Sequence, residues 1–183
     1  MKKICLFILK LLNYKIDLAH IPTEKKYVLV FAPHTSWTDF VVGKMALTAM
    51  GVKAMFLIKK EMFFFPLNVW LKYVGAFPVN RKRAQRLTDT IAEYMKGKDE
   101  MVLLIAPEGT RKRVETWKRG FYYIAQKADV PIALAYLDYR ERKGGIGPIL
   151  YPTGDYEVDL QEIQKFYWGM QGRRKGRFNL EKI

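Results

Sequence analysis

Hydrophobic residues in this chain fall into short unbroken runs, and most of the segments between those runs repeat their apolar positions at helical spacing. Residues 27–32 (YVLVFA) and 101–106 (MVLLIA) are continuous apolar runs, the pattern of strands buried on both faces. Residues 53–58 (KAMFLI), 76–80 and 131–138 (PIALAYLD) read as further strands, and 149–151 as an edge strand. Residues 40–51 predict a helix ended by its glycine, and 61–73 an apolar helical segment interrupted by Pro66. Residues 83–95 place Leu87, Ile91, Ala92 and Met95 on one helical face, and 119–128 predict another helix. Strand followed by helix, repeated, predicts an α/β fold: one domain with a mainly parallel or mixed central sheet flanked by helices. Function in such sheets collects at loops leaving the carboxyl ends of strands.

At 183 residues, half of them hydrophobic, the chain is long enough to bury a sizeable core as one domain, expected to span 1–183. Cys5 is the only cysteine, which excludes an intrachain disulfide and a thiolate cluster. Residues 4–12 are apolar except for Lys10, far short of the roughly 20 that a membrane-spanning helix needs. Two readings stay open for residues 1–20: an interfacial, monotopic membrane helix, or a first helix packed on the core. Residues 172–183 read as a frayed, basic polar tail.

Charge narrows the partner. Lys and Arg number 32 against 18 Asp and Glu, a net charge of +14 with a pI near 9.8. An anionic partner follows: phospholipid headgroups, a phosphorylated cofactor or nucleic acid. The basic residues cluster as Arg81-Lys82-Arg83 with Arg86, Arg111-Lys112-Arg113 with Lys118 and Arg119, and Arg173-Arg174-Lys175 with Arg177.

Three segments at the expected strand ends carry candidate chemistry. His34 is followed five positions on by Asp39, a spacing no helix face supplies, so only a turn can bring the two together. A carboxylate against one ring nitrogen fixes the tautomer and leaves the other nitrogen to take a proton, which would make His34 a general base. The alternative is structural, with Ser36 to Asp39 as a capping box opening the next helix. Ser36 has no nucleophile-elbow sequence around it. Arg81 follows a strand and offers a planar fork for phosphate. Pro107-Glu108-Gly109-Thr110-Arg111 joins a glycine turn, a hydroxyl, a guanidinium and a carboxylate directly after a strand, without the spacing of a P-loop.

Together, His34-x4-Asp39, the Gly75 to Arg81 block, Glu108-Gly109-Thr110-Arg111 and Val130-Pro131-Ile132 resemble, in order and separation, the glycerolipid acyltransferase family, relatives of 1-acylglycerol-3-phosphate acyltransferase. Lys118 and Gly120 are similar to the lysine and glycine that follow the third block in that family. Pro33 departs from the asparagine common before its histidine.

The resemblance implies acyl transfer from an acyl-CoA or acyl carrier protein thioester to a lysophospholipid hydroxyl, with 1-acyl-sn-glycerol-3-phosphate as the first acceptor expected. In that scheme His34 is the base and Asp39 orients it. Arg81, Glu108, Gly109, Thr110, Arg111 and Lys118 form the acceptor's phosphate site, with Glu108 holding Arg81 or Arg111 in place or contacting a substrate hydroxyl. The thioester is a co-substrate; no metal or redox cofactor is expected, since His20 and His34 lie far apart with no matching ligands. The expected setting is the cytoplasmic side of the cell membrane, on an anionic surface. Residues 62–67 with Trp70 and Leu71 are expected to line an acyl-chain groove, dip into the bilayer or simply fill core. Rival readings are a nucleic-acid-binding module, which lacks a signature and gives His34 no role, a non-catalytic lipid-binding relative, and a thioester hydrolase.

Overall fold

The structure, a computed structural model, describes residues 1–79 and 84–181. Its strands are β1 (Lys15–Ile16), β2 (Lys26–Ala32), β3 (Ala54–Lys59), β4 (Ala76–Val79), β5 (Met101–Ile105), β6 (Ile132–Asp138) and β7 (Lys143–Leu150). They form one open mixed sheet in the order β1-β7-β6-β2-β5-β3-β4. Every pairing is parallel except the antiparallel β6–β7 pair. The flanking helices are α1 (Lys2–Leu11), α2 (Thr38–Met50), α3 (Leu67–Tyr73), α4 (Ala84–Lys96), α5 (Gly120–Ala128) and α6 (Tyr156–Tyr167).

Strand β2 shows why continuous apolar runs become central strands. Its side chains alternate between the two faces, and both faces are covered. Val28, Val30 and Ala32 enter a core built with α4, α5 and α6. Tyr27, Leu29 and Phe31 enter another, built with α1 and α2. A smaller cluster of Phe56, Leu71 and Ala76 joins β3, α3 and β4, with Phe40 packed against it. Helix α2 ends where expected, at Gly51 with φ 81°, whose amide bonds back to the last turn.

The departures from the sequence reading have physical causes. The edge strand expected at 149–151 is the end of the longer β7, and the outermost position belongs to the two-residue β1. Strand β7 opens Lys-Gly-Gly-Ile-Gly, which has low strand propensity. Close neighbours require the glycines: a Cβ on Gly147 would lie 2.4 Å from the Phe166 ring. Helix α6 was missed although its signals are present: Asp155 caps Glu157 N and Val158 N, and Tyr156, Leu160, Ile163 and Tyr167 follow at helical spacing. The 61–73 segment divides into a short 3-10 turn at Lys60–Met62 and α3.

The expected frayed tail is an ordered strap through residue 181. Phe178 is fully buried among Trp117, Tyr167 and neighbours, and Leu180 is buried with it. The strap is tied by Trp117 Nε1–H to Asn179 Oδ1 at 3.3 Å and by the Gly169 amide to Leu180 O at 2.9 Å. Two buried apolar side chains among basic ones anchor it. Helix α1 packs on the core through Leu9, buried on α2's side, while Ile4, Phe7 and Leu11 are exposed.

Truncating Phe178 to Ala removes a fully enclosed ring. The expected loss is about 3–5 kcal/mol of unfolding free energy by urea titration, where an exposed side chain in a frayed tail would cost almost nothing.

Candidate active site

Strand β2 stops at Pro33, which has no amide proton for the ladder, and a tight loop leads into α2. Asp39 sits in the first turn of α2 with its side chain completely enclosed. Its Oδ2 accepts from the amides of Thr35 and Ser36, each at 2.7 Å, and its Oδ1 accepts from the Tyr139 hydroxyl at 2.7 Å. His34 Nδ1 lies 3.3 Å from Oδ2, facing the carboxylate too obliquely for a closed hydrogen bond. Such bonds often tighten only when substrate is bound. The turn does bring His34 and Asp39 together.

The same loop both opens α2 and sets the His34 ring against Asp39. Ser36 Oγ accepts from Thr38 N at 3.3 Å while Asp39 accepts from Ser36 N, but the expected capping box is not closed: α2 begins at Thr38 with Trp37 at the N-cap position and no side-chain cap. A carboxylate at a helix start is also favoured by the helix dipole. Thus the carboxylate in the first turn of α2 is the group that faces His34. Ser36 Oγ also accepts from the Thr38 hydroxyl at 3.0 Å, so it is committed to the helix start.

Glu108 corrects an expectation. Among the described residues it holds no Arg111 guanidinium: it is 2% exposed, and its Oε1 accepts from the His34 amide at 2.8 Å, while Arg81, the other arginine expected against it, lies outside the described residues. Among the described residues its Oε2 makes no hydrogen bond. Burial raises its pKa to about 8, the His34 amide opposes this, and the Asp39 charge adds to it. Glu108 is therefore a support beneath the histidine, mostly uncharged at neutral pH.

The turn after β5 is built around Gly109, with φ 66°. A Cβ there would lie 2.8 Å from Lys118 Cε, so the missing side chain lets the Lys118 chain pass directly over the turn. The Lys118 amide donates to Pro107 O at 2.9 Å, fixing that approach. Gly109, Thr110, Arg111 and Lys118 line the same cavity as His34 and Asp39. Its volume is about 1190 Å³, and its walls continue into apolar Phe40, Leu57, Met62, Trp70 and Leu71. The remaining candidate, Arg81, lies outside the described residues.

Sequence reasoning missed two contributors. Tyr139, one residue beyond β6, reaches Asp39 from across the sheet. The strap crosses above: the Arg174 amide donates to Thr35 Oγ1 at 3.2 Å, and Arg177 Nη1 to Arg111 O at 3.4 Å. Only Tyr139's position just past a strand's carboxyl end could have suggested it; no local pattern announces the strap.

Residues 15–136, which hold the paired His34 and Asp39 and the Glu108 to Arg111 turn, match the family model described as Acyltransferase. This chain belongs to the Acyltransferase family. Over 113 residues it is 29% identical to the 1-acyl-sn-glycerol-3-phosphate acyltransferase of Streptococcus pneumoniae (strain ATCC BAA-255 / R6), covering 61% of this chain and 42% of that relative. The chain thus aligns with less than half of that curated relative's length. Its fold resembles the crystal structure of the 1-acyl-sn-glycerophosphate (LPA) acyltransferase PlsC from Thermotoga maritima, with a TM-score of 0.66 at 19% identity, covering 90% of this chain and 74% of that one. The fold of the acyltransferase sheet is therefore shared where most of the sequence is not.

Glu108 gives a pH signature. Its folded pKa lies above its ordinary 4.5, so between pH 4.5 and about 8 the folded state holds a proton that the unfolded chain releases. This group's contribution to stability therefore declines as pH rises through that window, by up to about 1.4 kcal/mol per pH unit, and levels off above it. Glu108→Gln keeps an acceptor for the His34 amide and removes the titration. Urea unfolding at pH 5 and pH 8 should show a smaller decline for the variant than for the parent.

Proposed function

We propose that this protein moves a fatty acyl group from a thioester donor, acyl-CoA or acyl carrier protein, to the free hydroxyl of a lysophospholipid, with 1-acyl-sn-glycerol-3-phosphate as the first acceptor to test. The carrying observation is the His34 ring, set 3.3 Å from an enclosed and triply hydrogen-bonded Asp39, on the wall of a cavity that also holds Thr110, Arg111 and Lys118. The likeness to named lysophosphatidic acid acyltransferases supports the choice of acceptor.

Nδ1 faces Asp39, so Nε2 is the nitrogen left for the acceptor's proton. As Nε2 takes it, the hydroxyl oxygen attacks the thioester carbonyl. The tetrahedral intermediate collapses with cleavage of the carbon–sulfur bond, and the thiolate leaves with the proton from His34. No covalent enzyme intermediate is needed. Lys118 and Arg111 supply positive charge for the acceptor's phosphate, and the Gly109 turn lets Lys118 approach. The apolar wall of the cavity suits an acyl chain, in keeping with the groove expected of residues 62–71.

Lipid substrates also require access to a membrane. No described helix is long and apolar enough to cross one. Phe7 and Leu11 on α1, and Phe64, Phe65 and Tyr73 around α3, present exposed apolar surface on a chain of net charge +14. We assign these to shallow insertion and electrostatic docking on anionic lipid, worth about 1 kcal/mol per Lys or Arg near the surface.

The decisive assay is thiol release from each donor across a panel of lysolipids. Release should require an acceptor and fall by about 10²- to 10⁴-fold in kcat for His34→Ala. Acceptor-independent release would indicate a hydrolase, and full activity in the variant would remove His34 as base. Flotation with anionic vesicles should weaken as salt is raised and weaken further for Phe65→Ser; insensitivity to both would remove the docking assignment.

A further inference from the structure

Asp39 is oriented from outside its own loop. We infer that Tyr139 is a positioning residue for the transfer reaction, its phenol fixing the Asp39 carboxylate so that Oδ2 is presented to His34 Nδ1. This rests on the proposed role of His34, and the argument from geometry has three parts.

The first part is partition of the carboxylate's lone pairs. Oδ2 receives both local amides and faces the imidazole, while Oδ1 has Tyr139 as its hydrogen-bond donor, at 2.7 Å. With the phenol gone, an enclosed oxygen loses its donor, and rotating the carboxylate to share the Thr35 and Ser36 amides between its oxygens turns Oδ2 away from His34. The second is that the phenol keeps a proton to donate: burial, reinforced by the Asp39 charge, pushes its pKa upward. Thr38 Oγ1, at 3.3 Å, is more distant than Asp39 Oδ1 and can itself donate to the phenol oxygen, leaving the phenol's proton for Asp39.

The third part is that Tyr139 is itself held rigidly. Its amide donates to Gln171 O at 2.9 Å, at the root of the strap. Its ring stands edge-on to Tyr14, with centroids 5.9 Å apart at 89°, and carries the Arg173 guanidinium 5.9 Å above it. Gly172 completes the clamp: a Cβ there would lie 2.4 Å from Thr35 Cγ2, so strap and catalytic loop touch directly. A phenol placed this firmly can set the direction of a carboxylate.

The test is Tyr139→Phe, which keeps the ring, its amide bond and its aromatic contacts. Activity is one readout: kcat should fall by about 10- to 100-fold, as when the partner orienting an active group is removed, with KM for the acceptor within about twofold. The other needs no substrate. The chain has two histidines, so ¹⁵N-histidine NMR resolves two imidazoles, His34 being the one lost in His34→Ala. His20, with Nδ1 2.8 Å from Asp17 Oδ2, serves as the internal reference.

In the parent, neutral His34 should carry its proton on Nδ1, directed at Asp39. In Tyr139→Phe it should become a mixture of tautomers while His20 stays unchanged. Both changes together support the inference. A kcat within twofold of the parent overturns it, and so does a kcat loss with an unchanged His34 tautomer, which would make Tyr139 merely structural. The tautomer readout survives even if the protein transfers no acyl group, so failure of this inference is distinguishable from failure of the proposed reaction. If Tyr139→Phe yields too little folded protein, the tautomer of His34 in Arg173→Ala, which releases one side of the clamp, is read in the same way.

Discussion

A single enclosed carboxylate organises the candidate site at the carboxyl end of β2. Removing Asp39 from water is tolerable only because donors surround it: two amides of its own loop and a phenol from beyond β6. Those bonds shape the turn between β2 and α2, tie β2's loop to the end of the neighbouring β6, and hold the carboxylate beside the His34 ring. Glu108 supports the same histidine from below by a different means, accepting its amide as a mostly neutral group. The two acids flanking His34 thus differ in surroundings: Asp39 has three donors, and Glu108 has the His34 amide.

Above this frame the site is mixed in polarity. Lys118 and Arg111, beside a glycine turn, and apolar Phe40, Leu57, Trp70 and Leu71 line one cavity. A molecule with an anionic head, a reactive hydroxyl and a hydrocarbon tail matches that lining. The exposed apolar residues of α1 and α3 extend the apolar character to the surface, and the excess positive charge complements the headgroups of a membrane that would supply such a molecule.

The elements that were readable in advance are those whose local pattern and tertiary role agree. Strands β2 and β5 are apolar throughout because both faces are covered, and α2 closes at a glycine that adopts the left-handed conformation. Strand β7 was only partly readable, because its glycines answer to Phe166 and Leu137 rather than to strand propensity. The strap was misread because Phe178 and Leu180 are isolated among basic residues, and two apolar side chains make no periodic pattern.

What the sequence determined by itself was the alternation of strands and helices, the positive charge, and the placing of His34-x4-Asp39 and of the Glu108 to Arg111 turn each just after an apolar run. Each is carried by residues adjacent in the chain, where spacing and residue type are sufficient physics. Tertiary structure alone decided that Glu108 turns inward, that Lys118 lies over Gly109, that Tyr139 holds Asp39 from across the sheet, and that the carboxyl-terminal segment seals the loop at Thr35. These depend on which strand ends lie side by side and on which groups are cut off from water. Neighbourhood of that kind is set by the packed sheet and leaves no mark in the local order of residues.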